Sequence, residues 1–345
     1  GTDSINTITF TSYHNNADSV IIESTTGNEA TIKLSGGASY LIFDKLTVNG
    51  CMNSGASYSK GFDLAGCSDI VIRNCKINVL PNDNYYSDYS GISSIWQNGQ
   101  FEDVWVENNE IRGAQYGIYL DPSTLSGPIY FRNNIIVSRY VGFCSYGNTI
   151  LPDISYNTIT FDTTSSRDAF YLLEGYGTYG NDPDTMWMVG NKFRHNSSSS
   201  TSYFYNYCYF SDFYPNDAFI IANNEFYIPN NSNISYAYFD LYYNDNIHFI
   251  NNSMLNYQSS GYINFDYGGG KTVIKNNNLV NLNGGDVLSV NGRSITESDY
   301  NNIYSTATSL SNWQATTGQD VYSVYLNPFF SNPSLNLDLM DDGGL

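Results

Sequence analysis

Three aspartates and a series of tyrosines are the side chains of this sequence best suited to chemistry. Asp121, Asp240 and Asp266 lie in short alternations of apolar and polar residues: Gly117-Ile118-Tyr119-Leu120-Asp121, Ala237-Tyr238-Phe239-Asp240-Leu241 and Tyr262-Ile263-Asn264-Phe265-Asp266. Two carboxylates held roughly 5–9.5 Å apart can hydrolyse a glycosidic bond, one as acid and the other as base or nucleophile. On the same and related segments lie Tyr119, Tyr171, Tyr205, Tyr207, Tyr238 and Tyr262. A tyrosine ring is flat and apolar with a hydroxyl at its rim, which suits the face of a sugar. Arg194-His195 is the most enzyme-like basic pair, since together they could neutralise a carboxylate and move a proton. Plainer readings stand beside these. Aspartate at a strand end is an ordinary solvated residue, tyrosine is a good strand former that stacks on its neighbours, and a histidine beside an arginine is common surface. No zinc spacing, CxxC pair or compact calcium loop occurs, so no metal ligand is assigned. Ca²⁺ held between stacked aspartates is the one cofactor the residue types allow.

The elements that must position these residues come from a repeat. Val106-Glu107-Asn108-Asn109-Glu110-Ile111 recurs around Asn134, Asn157, Asn191, Asn224, Asn252, Asn277 and Asn301, with Leu46 and Cys75 as earlier centres, in steps of 23 to 34 residues. A repeat of this length is the signature of a solenoid. Two short strands flank each asparagine, and a third begins some 9 to 13 residues later. Alternation turns Ile118, Leu120, Phe170, Leu172, Phe204, Phe239, Leu241, Ile263 and Phe265 inward and the tyrosines and aspartates outward. Tyr205 and Tyr238 are 33 residues apart, the same step as Asn191 to Asn224, so they belong on adjacent rungs. Asparagine suits the bend because it tolerates left-handed backbone, and turned inward its amide can bond to the next rung, about 4.8 Å away.

Composition agrees. Strand formers broken by Gly, Asn, Asp and Ser, without a helical stripe, indicate an all-β chain. The net charge of −19, from 33 acidic and 14 basic residues, argues against nucleic acid and anionic lipid, which need clustered cations. There is no apolar run near the roughly 18 residues of a membrane span. No secretion signal is visible, and export is inferred from fold and composition instead. Of the cysteines, Cys75 and Cys208 read as core residues, and a Cys51–Cys67 disulfide is weakly supported. Residues 1–302 are expected to form the solenoid without an obvious N-terminal cap, and 303–345 an irregular C-terminal cap.

The asparagine-bearing turns, with Asp69-Ile70-Val71-Ile72-Arg73-Asn74-Cys75-Lys76-Ile77 and Tyr40-Leu41-Ile42-Phe43-Asp44-Lys45-Leu46-Thr47-Val48, resemble the asparagine ladder of right-handed parallel β-helix proteins, the pectate-lyase-like superfamily. The resemblance covers roughly residues 5–300 and implies a single right-handed parallel β-helix of about ten turns. It also implies a bacterial extracellular or cell-surface protein with any active site in a groove on one strand face. The superfamily includes lyases, hydrolases, epimerases and adhesins, so fold alone does not choose among them. The chain lacks the Gly-His-Gly, Asn-Thr-Asp and Arg-x-Lys motifs of polygalacturonases, and the arginine and aspartate cluster of pectate lyases cannot be placed. The expectation is a monomer that binds polysaccharide or cell-surface glycan along a Tyr/Asp face, as a divergent polysaccharide lyase or glycoside hydrolase. The alternative is a non-catalytic adhesin or structural solenoid.

Overall fold

The computed structural model describes residues 6–81, 88–95, 102–121, 129–145, 153–161, 169–178, 185–194, 203–211, 218–230, 236–242, 246–259, 262–268, 270–306, 309–328, 330 and 337. Within them the chain is all-β, with parallel strands stacked in a sheet of 19 strands and a sheet of 11. This arrangement is compatible with a parallel β-helix-like solenoid. Glu102–Glu107, Glu110–Arg112 and Tyr116–Asp121 follow one another along the chain. Each pairs in parallel with its counterpart in the next repeat: Ile129–Arg132, Ile135–Ser138 and Val141–Ser145. First and third strands share the larger sheet because Ile32–Asp44 and Ser59–Arg73 each run continuously through both positions. The second strands form the smaller one.

The bend between first and second strands explains the repeated Asn-Asn. Its first residue has a left-handed backbone: φ is 57° at Asn108, 55° at Asn133, 55° at Asn223, 56° at Asn251 and 55° at Asn276. Tyr156, Gly190 and Tyr300 take the same position with φ of 57°, 67° and 59°. The second residue, always asparagine from 109 to 301, is the buried one. The sequence reading assigned both tasks to one asparagine; the structure divides them. Left-handed φ is costly for most L-residues and tolerable for asparagine, whereas the buried site requires an amide.

The amides join into a column. At Asn134 the backbone N–H and Nδ2 both donate to Asn157 Oδ1, at 2.9 and 3.0 Å, and Nδ2 also donates to the Val106 carbonyl at 2.9 Å. The same three bonds recur at Asn109, Asn157, Asn191, Asn224, Asn252 and Asn277. Each buried polar atom is thereby satisfied, which matters because an orphaned group inside a protein costs free energy. At the start, Cys75 donates its N–H to Asn109 Oδ1 at 2.9 Å, and its thiol lies 3.6 Å from the Phe43 carbonyl, where other rungs place an amide. At the end, Asn301 donates from Nδ2 to Asp320 Oδ1 at 2.8 Å and from its N–H to Ser323 Oγ at 2.8 Å.

Around this column runs one apolar core. It includes the expected inward residues Ile118, Leu120, Phe239, Leu241, Ile263 and Phe265. Phe193 and Phe226 stack on adjacent rungs with ring centroids 5.1 Å apart and planes 8° apart. Leu172 was expected inside, yet the register aligns Leu173 with the core residue Phe143. A shift between Tyr171 and Glu174 interrupts the alternation there, as a bulge does. Where third strands begin, backbones pass so closely that a Cβ on Gly61 would lie 2.5 Å from Ile77 Cγ2 and 2.7 Å from the Gly91 carbonyl oxygen. Cys51 and Cys67 are both buried and free, so no disulfide joins them.

The cap is more ordered than its sequence suggested. Helix α1 (Leu310–Thr317) starts on Ser309, whose side chain accepts from the Asn312 N–H, and ends at Gly318 with φ 68°. Trp313 is its one buried residue, so there is no apolar stripe for periodicity to detect. Trp313 Nε1 donates to Asp320 Oδ2 at 2.5 Å, tying the helix to the end of the asparagine column. Beyond it Leu337 packs with Leu255 and Val280 on the outside of the 11-stranded sheet. Among the described residues no helix is long and apolar enough to cross a membrane.

Candidate functional site

The third strands of the C-terminal half set the proposed residues in register. Tyr171, Tyr205 and Tyr238 are direct partners on successive strands. Tyr262 continues that column, because the next residue, Ile263, pairs with Phe239. Glu174, Tyr207, Asp240, Asn264 and Ser289 form a second column, and Tyr176, Tyr209, Tyr242, Asp266 and Asn291 a third. Five rungs at about 4.8 Å give this field a length of roughly 19 Å. Phe239, Leu241, Ile263 and Phe265 occupy the core, so Asp240, Asn264 and Asp266 face away from it.

Asp240, Asp266 and Tyr262 come together. Asp240 and Asp266 are diagonal neighbours on adjacent strands, one rung and two residues apart, which separates their Cα atoms by roughly 8 Å. Burial raises the pKa of Asp240 above the ordinary carboxylate range, its hydrogen bond with Asn264 pulls it back, and the charge of Asp266 raises it again. Burial likewise raises Tyr262, with Asp240, Asp286 and Asp266 adding to the effect. Asp266 is only 8% exposed, and its Oδ1 has no hydrogen-bond partner; neither has Asn264 Oδ1. Two ionisable carboxylates and an amide oxygen are therefore gathered in a partly desolvated place. Such a place can accept a cation.

The other candidates lie elsewhere. Asp121 ends the strand Tyr116–Asp121, four pairings from Tyr236–Tyr242 and so about 19 Å from Asp240. Tyr119 shares that strand and meets Tyr116 edge-on at 5.0 Å. Arg194 was expected to act with His195 as a basic pair. It instead closes the second strand Lys192–Arg194, is 3% exposed, pairs with Glu225 and lies 6.0 Å over the Tyr227 ring. It is thus on the other sheet and cannot join Asp240. His195 lies outside the described residues.

Asn264 and Asp286 also belong to this cluster, although neither was among the residues expected there. Asn264 was legible, since it alternates with Asp266; Asp286 precedes its strand and gave no signal. Two further clusters were also missed. Lys60, 2% exposed, sits 4.6 Å over the Tyr58 ring, and its pKa falls through burial while burial raises that of nearby Asp63. On the first-strand face Trp105 and Tyr130 stack at 3.8 Å, with the Arg132 guanidinium over both and paired to Asp153. An open groove of ≈ 630 Å³ on the 11-stranded sheet is lined by Asn49, Asn78, Arg112 and Phe161, but its guanidinium is already paired with Glu110. Among the described residues no three His, Cys, Asp or Glu side chains are grouped to hold a metal ion. Compared with protein-family models, curated proteins and solved structures, the chain gives no match.

Proposed function

We propose that this chain is a right-handed parallel β-helix of about ten turns, of the pectate-lyase-like kind, braced by an asparagine ladder. In this reading it is an exported or cell-surface protein that binds a polysaccharide along the third-strand face of its C-terminal half. One observation carries the proposal: Tyr171, Tyr205 and Tyr238 stand in one register column beside the column that holds Asp240. In this reading consecutive sugar rings follow the column of tyrosine positions, whose rung spacing is about 4.8 Å, and Asp240 in the column beside it is an acceptor for their hydroxyls. The net charge of −19 favours neutral glycans, or anionic ones accompanied by cations. Asp240 and Asp266 are the pair to which hydrolysis would fall, because the environment of Asp240 holds its proton more tightly than an exposed carboxylate would.

The test is a panel of neutral and acidic polysaccharides, each offered with and without Ca²⁺. Binding is measured directly, and reducing ends and unsaturated products are followed. The expected result is binding that weakens about tenfold on Tyr205→Ala or Tyr238→Ala, equal to about 1.4 kcal/mol, as for loss of one stacking ring. Product formation abolished by Asp240→Asn would make the protein a hydrolase; binding without product would make it a binding module. Affinity unchanged in both tyrosine variants would overturn the platform.

A further inference from the structure

We infer that Asp240, Asn264 and Asp266 form a binding site for a hard divalent cation of the size of Ca²⁺. Two oxygens of this cluster are without partners. Asp266 is 8% exposed, yet its Oδ1 receives no hydrogen bond, and two residues away on the same face Asn264 Oδ1 is also buried and unpartnered. Buried acceptors are nearly always satisfied, and a buried carboxylate oxygen left alone is among the most costly exceptions. Asn264 is the register partner of Asp240 and already bonds to it, so its amide nitrogen is engaged on the Asp240 side while its oxygen is left over. Among the described residues neither Asp240 nor Asp266 has an ion-pair partner; the buried Arg293, on the strand that pairs with Ile263–Gly268, donates to Thr272 Oγ1 instead.

The donor set selects the kind of cation. All the available groups are oxygens, two carboxylates and an amide carbonyl, which is the preference of Ca²⁺ and not of the softer transition metals. Two carboxylates match the charge of a divalent ion, and water completes the coordination that three protein groups leave open. Two strands one rung apart supply all three, so the site bridges Tyr236–Tyr242 and Ile263–Gly268 and ties neighbouring repeats together. Tyr262 lies close enough for its hydroxyl to feel both carboxylates. The inference shares a face with the proposed glycan site but does not rest on glycan binding, and its test contains no sugar.

Tb³⁺, which replaces Ca²⁺ and emits when excited through a nearby tyrosine, is the probe. Chelator-treated protein should show saturable emission that Ca²⁺ displaces and Mg²⁺ at the same concentration does not. Asp266→Asn, which keeps shape and removes charge, should weaken binding at least tenfold, and Asn264→Leu should weaken it too. Thermal unfolding supplies an independent reading. In chelator the Asp266→Asn protein should melt above the wild type, because an uncompensated buried charge is gone. In millimolar Ca²⁺ the order should reverse. Absence of saturable Tb³⁺ binding to the wild type, or binding and melting unaltered by Asp266→Asn in both conditions, would overturn the site.

Discussion

Asn191→Ala isolates what the buried amide column contributes. Asn191 is 0% exposed, donates from Nδ2 to the Ile154 carbonyl at 2.7 Å and to Asn224 Oδ1 at 3.0 Å, and accepts from the Asn157 N–H at 2.9 Å and Asn157 Nδ2 at 3.0 Å. Truncation removes all four bonds. Asn157 Nδ2 keeps the Phe131 carbonyl, and Asn224 Oδ1 keeps the Asn191 N–H, but the Asn157 N–H is left buried without this acceptor. An orphaned donor costs about 1–3 kcal/mol and each of the three remaining net bonds about 1 kcal/mol, giving a loss of roughly 4–6 kcal/mol. Asn223→Ala, at the left-handed position of the next repeat, removes no buried amide and should cost only the left-handed backbone preference, about 1–2 kcal/mol. Repeats couple to nearest neighbours, so the loss should be local. Hydrogen exchange read by mass spectrometry should show protection falling about 100-fold or more in 153–161, 185–194 and 218–230, and less in segments farther along the stack. Equal effects of Asn191→Ala and Asn223→Ala, or a loss below about 1 kcal/mol, would refute the division of labour within the Asn-Asn pair.

Further outcomes follow from the same geometry. Cys75→Asn should extend the column by one rung, since the thiol already lies 3.6 Å from the Phe43 carbonyl, and should raise the urea midpoint by about 1 kcal/mol of stability. Gly61→Ala should destabilise by several kcal/mol, because its Cβ has nowhere to go between Ile77 and the Gly91 carbonyl; a normal melting temperature would show that the third strand can shift. Asp320→Ala should free Trp313 Nε1 and remove one acceptor from Asn301 Nδ2, which keeps the Ile274 carbonyl, seen as a red shift in tryptophan emission and faster exchange in 297–305. Burial, aided by the charge of Asp63, pushes the Cys67 thiol from 9.0 up to about 12. The native protein should therefore leave Cys67 unmodified by a thiol reagent at pH 8. Because the folded pKa is raised, the stability tied to this thiol is complete below pH 9 and is lost as the pH climbs from there towards 12. Stability that does not fall across that window would count against so buried a thiol.

What the sequence alone determined is what repeats. Parallel strands, the inward set Ile118, Leu120, Phe239, Leu241, Ile263 and Phe265, and the buried asparagines were legible because each copy meets the same surroundings as the last, so spacing alone shows which positions are equivalent. The alignment of Tyr205 with Tyr238 was legible for that reason too, as their separation equals the step between Asn191 and Asn224. Tertiary structure decided whatever depends on contacts between copies. It separated the left-handed residue from the buried amide, a distinction that shows where Tyr156, Gly190 or Tyr300 takes the first place. It moved Arg194 to the other sheet, because three residues of extended chain after the bend carry it into the second strand. It left Asp121 about four rungs from Asp240, since equal local patterns carry no information on axial distance. And it placed Asn264 and Asp266 side by side with oxygens that nothing satisfies, a feature no local pattern records, because a missing partner exists only after every neighbour has been put in place.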